Sequence, residues 1–406
     1  MKDKQIQNLI KNEEVRQKSV VNLIASENYV SGDVLEALGS VLNNKYSEGY
    51  PGARYYAGNE IIDQIEDLCQ KRALETFGLT AKKWKVNVQA LSGTPANLAV
   101  YTALIPKGEK IMGMELSHGG HLSHGHKVSA TGIFWEQVSY GVDFETEKLD
   151  YEEVERIAKE SNPKIIVAGF TAYPREIDWK RFREIADGVG AILMVDMSHI
   201  SGLVAGKVYP APFKYADVVT TTTHKTLRGP RSAMIFSRRD KVAEKEGSDI
   251  STRIDKAVFP GLQGGPHQNQ IGAVAVALKE AQTSVFQKYT KQIILNAKTL
   301  AQELSNYGWR IVSGGTDSHL LLVDVWNGGE VNEKGAGSLT GKIAEESLEK
   351  EGIIVNKNTI PFDKRSPFNP SGIRLGVAAE TTRGAKEKDF VKIAKRIDEV
   401  LRKEIK

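Results

Sequence analysis

The sequence predicts a doubly wound α/β domain with a mostly parallel sheet, followed by a smaller α+β domain. Three observations carry that expectation. From Lys85 to Ser237, short apolar or β-branched runs alternate with helical patterns, and such alternation means parallel pairing through right-handed crossovers. Two of the runs end in chemically capable residues: Ala191 to Val195 closes on Asp196, and Val218 to Thr223 leads to Lys225. Beyond Gly261, a long helical pattern from about Asn269 to Asn306, broken near Thr283, gives way to shorter mixed units.

Residues 1–24 read as an N-terminal helical arm, because Ile6, Leu9, Ile10 and Val15 recur among alternating charges. That pattern is amphipathic and unlike a signal peptide. A large α/β domain is expected over 25–268, and the long connecting helix with the small domain over 269–406. The stretch from Asn44 to Gly58 is rich in glycine and tyrosine and poor in aliphatics, so it is not ordinary core. Asn59 is placed to cap a helix with Ile61, Ile62, Ile65, Leu68, Cys69 and Phe77 as its apolar face, ended by Gly78.

Strands are then expected at Val86–Ala90, Lys110–Met114, Lys164–Phe170, Ala191–Asp196, Val218–Thr223 and Ser232–Ser237. The intervening helices run up to Leu104, over Tyr151–Lys159 and over Trp179–Ala186. The smaller domain offers strands at Trp309–Val312, His319–Val325, Ile353–Val355 and Ile373–Val377, a helix near Ile343–Glu349 and a basic helix from Lys386.

Composition narrows the function. The 406 residues suffice for more than one domain. Lysine and arginine number 55 against 51 acidic residues, a formal charge of +4 with the signs interspersed, so nothing demands nucleic acid. Cys69 is the single cysteine, which excludes an internal disulfide, a CxxC zinc site and a redox pair, and suits a reducing cytoplasm. No apolar run approaches the length of a membrane span.

The strand ends carry the chemistry. Open α/β sheets bind ligands at the carboxyl ends of their strands, and a lysine amine there can attack a carbonyl once deprotonated. A carboxylate at a neighbouring strand end suits pyridoxal phosphate: Lys225 forms the Schiff base, and Asp196 keeps the pyridine nitrogen protonated so that the ring acts as an electron sink. Leu91 to Asn97 lies between a strand and a helix, and its glycine, hydroxyls and Pro95 in the first helical turn can hold a phosphate.

Other patterns are set aside. His118, His121, His124 and His126 lie in a glycine-rich loop without a cysteine or carboxylate motif, so an imidazole stacked on a flat cofactor ring is preferred to a metal site. Asp196, Ser198 and His199 stand too close in sequence to form a hydrolase triad. Gly188-Val-Gly190 precedes a strand instead of following one, so it is no dinucleotide fingerprint, and no Walker A pattern occurs. Arg374, inside an Ile-Arg-Leu strand flanked by glycines, is placed to clamp a carboxylate, which makes the substrate an amino acid.

The run Thr220-Thr-Thr-Thr-His-Lys-Thr-Leu-Arg-Gly-Pro-Arg231 resembles the cofactor-lysine signature of the serine hydroxymethyltransferase family. The resemblance extends through Leu23–Tyr29, Asn44–Tyr56, Gly119–Leu122, Val195–His199, Gly264–Pro266, Ser366–Phe368 and Gly372–Arg374, covering nearly the whole chain. It implies a fold-type I pyridoxal phosphate enzyme, a homodimer or dimer of dimers with sites at the subunit interface.

By matching position, Lys225 would carry the internal aldimine, Asp196 would pair with the pyridinium nitrogen, His121 would stack on the ring and His199 would lie near the ring oxygen. Ser92, Gly93, Thr94 and Thr222 fall among the cofactor-binding positions, with Gly264 and Gly265 given by the partner subunit. Arg374 and Ser26 would hold the amino acid, and His224 would influence reaction specificity. Tyr46, Glu48 and Tyr56 match residues that cross from the neighbouring subunit, Glu48 handling a proton of the serine hydroxyl or of the folate. Leu116, Gly120, His121, Leu122, Asn358, Ser366, Pro367 and Phe368 match folate-binding positions.

The implied reaction is the reversible conversion of L-serine and tetrahydrofolate to glycine and 5,10-methylenetetrahydrofolate in the cytoplasm. Arg228 departs from the family pattern by standing where many relatives have a small residue, and Arg231-Ser-Ala-Met234 replaces the usual pair of glycines after the arginine. A folate-independent threonine aldolase would need the lysine, aspartate and arginine but not Glu48 or Leu116–Leu122. A cofactor carrier on an inactive enzyme fold would lack Lys225 or Arg374.

Overall fold

Seven strands form the central sheet in a computed structural model that describes residues 1–240, 249–326 and 339–405. In chain order they are β1 (Trp84–Asn87), β2 (Lys110–Met114), β3 (Glu136–Tyr140), β4 (Ile165–Gly169), β5 (Ile192–Asp196), β6 (Val218–Thr222) and β7 (Ala233–Arg238). Across the sheet the order is β1-β7-β6-β5-β4-β2-β3. Every residue of β4 and β6 is buried, as expected of parallel strands covered on both faces. Each fully buried Val, Leu or Ile there contributes roughly 1.5–3 kcal/mol.

The sheet differs from strict alternation in two places. β7 runs antiparallel to both β6 and β1, because the segment from Thr223 to Ser232 that leads into it holds no helix and is too short for a crossover. β3, unmarked in the sequence, forms the edge beside β2; its polar, partly exposed residues hide the strand pattern.

The four successive threonines from Thr220 to Thr223 are buried, yet each hydroxyl has a partner. Thr220 donates to Asn97 Oδ1 at 2.8 Å, Thr221 to the Thr222 carbonyl at 2.8 Å and Thr223 to the Pro230 carbonyl at 2.6 Å, while Thr222 accepts from Lys225. Satisfied hydroxyls remove the penalty that a buried polar strand would otherwise carry.

The helix Glu60–Thr76 corrects two expectations. Asn59 makes no capping bond and donates instead to the Tyr56 carbonyl at 2.8 Å. Ile61 and Leu68 are exposed, and the buried face is Ile62, Glu66, Cys69 and Ala73. Glu66 is drawn inward by Arg54, 2.7 Å away, and by Gln89, 2.8 Å away.

By contacts the chain divides into two units, one of residues 28–291 and one joining residues 1–27 to 292–406. The first contains the central sheet. The second is built on an antiparallel sheet whose strands lie in the order Arg310–Ile311, Leu320–Asp324, Gly372–Gly376, Asn356–Asn358. Helices Gly341–Lys350 and Glu387–Ile405 belong to it, and Val21–Asn22 pairs in parallel with Ile353–Ile354. The N-terminal helix, Lys4–Ser19, is capped by Asp3 and buries none of its residues. The long helical pattern is two helices, Gln268–Ala281 and Ser284–Asn306, separated at the expected break.

Candidate active site

β5 and β6 are neighbours, and their carboxyl ends build the centre of the site. Asp196, the last residue of β5, is 9 % exposed and takes two donors on each oxygen. Oδ2 accepts from Asn97 Nδ2 at 2.9 Å and pairs with His124 Nε2 at 3.1 Å. Oδ1 accepts from the Ser198 amide at 3.1 Å and its hydroxyl at 2.5 Å. Burial raises the carboxyl's pKa, but the hydrogen bond and charge of His124, with Asn97 and Ser198, outweigh it and hold Asp196 well below the usual carboxylate range.

Ser198 links this carboxylate to the next strand. Its Oγ accepts from the Thr222 amide at 3.0 Å, and Lys225 Nζ donates to Thr222 Oγ1 at 2.8 Å. His224, next to the lysine, has its pKa pushed down to about 3 by burial and by the charges of Lys225 and Arg231. Its imidazole is neutral at physiological pH.

A second arm starts at Asn97. The same Nδ2 that serves Asp196 also donates to Ser123 Oγ at 2.8 Å, and Ser123 in turn meets His121 Nδ1 at 2.7 Å. The Ser123 amide also donates to His121 Nδ1 at 3.1 Å, so that nitrogen is an acceptor and a neutral ring carries its proton on Nε2. The other histidines of the run have separate tasks. His118 Nδ1 accepts from the Val142 amide at 3.2 Å, and His126 Nδ1 from the Val128 amide at 3.4 Å.

The helix Gly93–Leu104 begins beside Thr222. A Cβ on Gly93 would lie 2.8 Å from Thr222 Cγ2, so glycine allows this helix end to approach β6. Ser92 occupies the cap position without making a capping bond, which leaves the first backbone N–H groups of the helix without a side-chain cap. His199 is buried and stacks against Phe170 at 6.4 Å.

A third group gathers Tyr46, Glu48, Tyr56, Gly264 and Gly265. The Tyr46 and Tyr56 rings meet edge-on at 5.2 Å, and Tyr46 Oη lies 3.4 Å from Glu48 Oε1. A Cβ on Gly264 would sit 3.3 Å from Glu48 Oε1, and one on Gly265 3.1 Å from the Tyr46 ring. Arg54 steadies the loop by donating to the Ser47 and Gly49 carbonyls at 2.9 and 2.8 Å, on either side of Glu48.

Leu116 opens a short 3-10 turn, and Gly120 closes against it: a Cβ there would come within 2.0 Å of the Met114 carbonyl oxygen. Leu122 is exposed.

In the other unit, Arg374 lies mid-strand and is buried, with Nε donating to Asn356 Oδ1 at 3.0 Å. Burial pushes its pKa down to about 10, so it remains a cation at neutral pH. The Gly376 amide on the same strand donates to the Leu23 carbonyl at 2.7 Å, and Gly376 packs against Ala25, which brings Ser26 to this strand. Asn358 donates to the Thr359 carbonyl at 2.6 Å. Ser366 Oγ accepts from the Phe368 amide at 3.3 Å, Pro367 lies between them, and Phe368 is exposed.

Sequence reasoning missed Asn97, Ser123, His124 and Ser198 as the shell of Asp196. All four lay within stretches that the sequence marks, the Leu91–Asn97 turn, the histidine run and the end of the Asp196 strand, but nothing local pairs them, because Asn97 and His124 reach Asp196 across 99 and 72 residues.

A mostly parallel sheet that presents an ionised carboxylate and a lysine at neighbouring strand ends, beside an uncapped helix N-terminus, is an arrangement able to hold pyridoxal phosphate, as the fold-type I enzymes do. The serine hydroxymethyltransferase family model matches residues 1–397. The chain is 53 % identical to serine hydroxymethyltransferase of Desulfotalea psychrophila over 98 % of this chain and 88 % of that protein. It is 52 % identical to the probable cytosolic serine hydroxymethyltransferase of Schizosaccharomyces pombe, over 98 % and 85 %. It is 53 % identical to the putative mitochondrial serine hydroxymethyltransferase of Neurospora crassa, over 96 % and 72 %. The chain belongs to the serine hydroxymethyltransferase family. Membership makes it a pyridoxal phosphate-dependent transferase of one-carbon metabolism.

The residues present fit that cofactor. Asp196 stays ionised although buried, as a partner for a pyridinium nitrogen must. The helix N-terminus at Ser92 and Gly93, held close to Thr222 and without a side-chain cap, leaves backbone N–H groups that suit a phosphate.

Proposed function

We propose that the chain catalyses reversible transfer of the hydroxymethyl group of L-serine to tetrahydrofolate, giving glycine and 5,10-methylenetetrahydrofolate. The observation that carries this reading is the hydrogen-bonded path from Asp196 through Ser198 and Thr222 to Lys225. It supports assigning the ring-nitrogen partner and the cofactor lysine to one cavity.

When bound, pyridoxal phosphate supplies an electron sink for charge that develops at the substrate Cα. The chain's own residues do the rest. Asp196 would hold a proton at the cofactor's ring nitrogen, and His121 and His199 would be the residues that contact the ring. Ser92, Gly93, Thr94 and Thr222 serve the phosphate end, with Gly264 and Gly265 supplied by a second copy of the chain. Lys225 provides the amine that binds the cofactor, and neutral His224 adds no positive charge beside it.

Arg374 and Ser26 orient the amino acid through its carboxylate, which decides the bond at Cα that aligns with the ring. Glu48, with Tyr46 and Tyr56 beside it, moves the proton of the serine hydroxyl or of the folate from the neighbouring subunit of a homodimer or a dimer of dimers. Leu116, Gly120, His121, Leu122, Asn358 and Ser366–Phe368 take the folate. The cytosol is the proposed location, in line with the fission-yeast relative, which is named as cytosolic. Among the described residues no helix is long and apolar enough to cross a membrane.

The test is glycine formation from L-serine by purified protein reconstituted with pyridoxal phosphate, with and without tetrahydrofolate, beside Lys225→Ala. Folate-dependent glycine formation that is lost in the variant is expected. Equal rates without folate would overturn the proposal in favour of an aldolase.

A further inference from the structure

We propose that Arg228 is a positioning residue for Lys225, fastening the lysine's turn by laying its guanidinium on Tyr289. The inference rests on the reading that Lys225 carries the cofactor. Lys225 lies beyond β6 in a turn closed by the Gly229 amide on the Thr223 carbonyl at 2.7 Å and by the Arg228 amide on the Lys225 carbonyl at 3.1 Å. Closing it requires Arg228 to adopt φ +60°, a left-handed conformation that long side chains seldom take. Interactions elsewhere must hold the residue there.

The side chain supplies them. The Arg228 guanidinium lies 4.4 Å from the Tyr289 ring centre and 5.4 Å from that of Phe286, both on the helix Ser284–Asn306. The two rings meet edge-on at 5.3 Å. Tyr289 is itself tied to the turn: its hydroxyl donates to the Thr226 carbonyl at 3.3 Å and accepts from Asn28 Nδ2 at 2.7 Å. Asn28 Nδ2 also donates to the Lys225 carbonyl at 2.9 Å, and its amide is oriented by the Tyr29 backbone N–H on Oδ1, also at 2.9 Å. Lys225, Thr226 and Arg228 are therefore anchored to one aromatic ring, directly or through a single side chain.

This arrangement fixes the lysine's main chain and leaves its side chain to move. To join the cofactor, neutral Nζ adds to the aldehyde carbon; a C=N bond forms, the C=O bond breaks, and the oxygen leaves as water with the two amine protons. The amine's reach depends on where the turn sits, and small misplacements of an attacking group are costly in rate.

The experiment mixes apoprotein with pyridoxal phosphate, follows the C=N absorbance in time, and maps the site by borohydride reduction and peptide analysis. Arg228→Gly relieves the left-handed backbone but removes the stack, Arg228→Met keeps the reach without the charge, and Arg228→Lys keeps a cation. The glycine and methionine variants are expected to form the bond about tenfold more slowly, the size of one partly desolvated cation–π contact, while remaining folded by circular dichroism at the assay temperature, with most of the rate restored by lysine. Should Arg228→Gly fold poorly, Arg228→Met decides. Wild-type rates in the folded variants, with Lys225 still the labelled residue, overturn the positioning role alone. Absence of label at Lys225 in the unsubstituted protein overturns the underlying reading, and this inference with it.

Discussion

Asn97 and Asp196, 99 residues apart in sequence, are joined by a hydrogen bond of 2.9 Å between the amide Nδ2 and the carboxylate Oδ2. The same amide reaches Ser123 and accepts from Thr220, so one side chain orders the carboxylate, the approach to His121 and the strand beneath them. Asn97→Leu, nearly the same size, is expected to lower stability by about 1–3 kcal/mol, because Thr220 and Asp196 lose a buried partner. It should also weaken cofactor binding about tenfold. Denaturant unfolding of the apoprotein and an absorbance titration with pyridoxal phosphate measure the two effects separately.

How far the sequence reveals this site depends on the range of each interaction. The strand ends were legible because β-branched residues and the following break are local signals, and Arg374 stood out between an isoleucine and a leucine. Asn97 and His124 were not legible as partners of Asp196, since only the crossovers bring them to β5. β3 escaped because an exposed edge strand keeps polar residues, and the buried face of the helix Glu60–Thr76 was misread because Glu66 has a partner outside the helix. Composition marked the tyrosine-rich loop as something other than core but gave no reason for Glu48 to stand there.

Acid should destabilise the protein through two groups. The His224 pKa falls from its ordinary 6.5 to about 3, so between those values the unfolded chain binds a proton that the native state refuses. The depressed carboxyl of Asp196 acts likewise below its ordinary 3.8. Both contributions are full above pH 6.5 and are lost as pH falls, His224 first. His224→Gln should flatten the slope of unfolding free energy between pH 6 and 4 by up to about 1.4 kcal/mol per pH unit, as read from denaturant midpoints across pH. A slope equal to that of the unsubstituted protein would refute this.

Gly93→Ala tests the approach of the helix to β6. The new methyl can be admitted if Thr222 turns, but turning takes Oγ1 away from Lys225 Nζ. A loss of about 1–3 kcal/mol is expected from the overpacking, together with a weaker hold on inorganic phosphate. Calorimetry on the apoprotein reads both.

Arg374→Lys should raise KM for serine by about 100-fold or more, since a lysine cannot replace the two parallel bonds of a guanidinium. Cofactor uptake, which this reading assigns to the other unit, should be unchanged. Steady-state kinetics beside a cofactor titration distinguish that result from general unfolding.

The parallel pairing of Val21–Asn22 with Ile353–Ile354 sets an order for biosynthesis. Residues 28–291 leave the ribosome as one uninterrupted stretch and can collapse while translation continues. The first 27 residues belong to a unit whose other part is made last, and the Leu23 carbonyl meets its partner only once Gly376 has been translated. A nascent chain stalled before Gly372 would hold the strand ends that carry Asp196 and Lys225 and would lack Arg374.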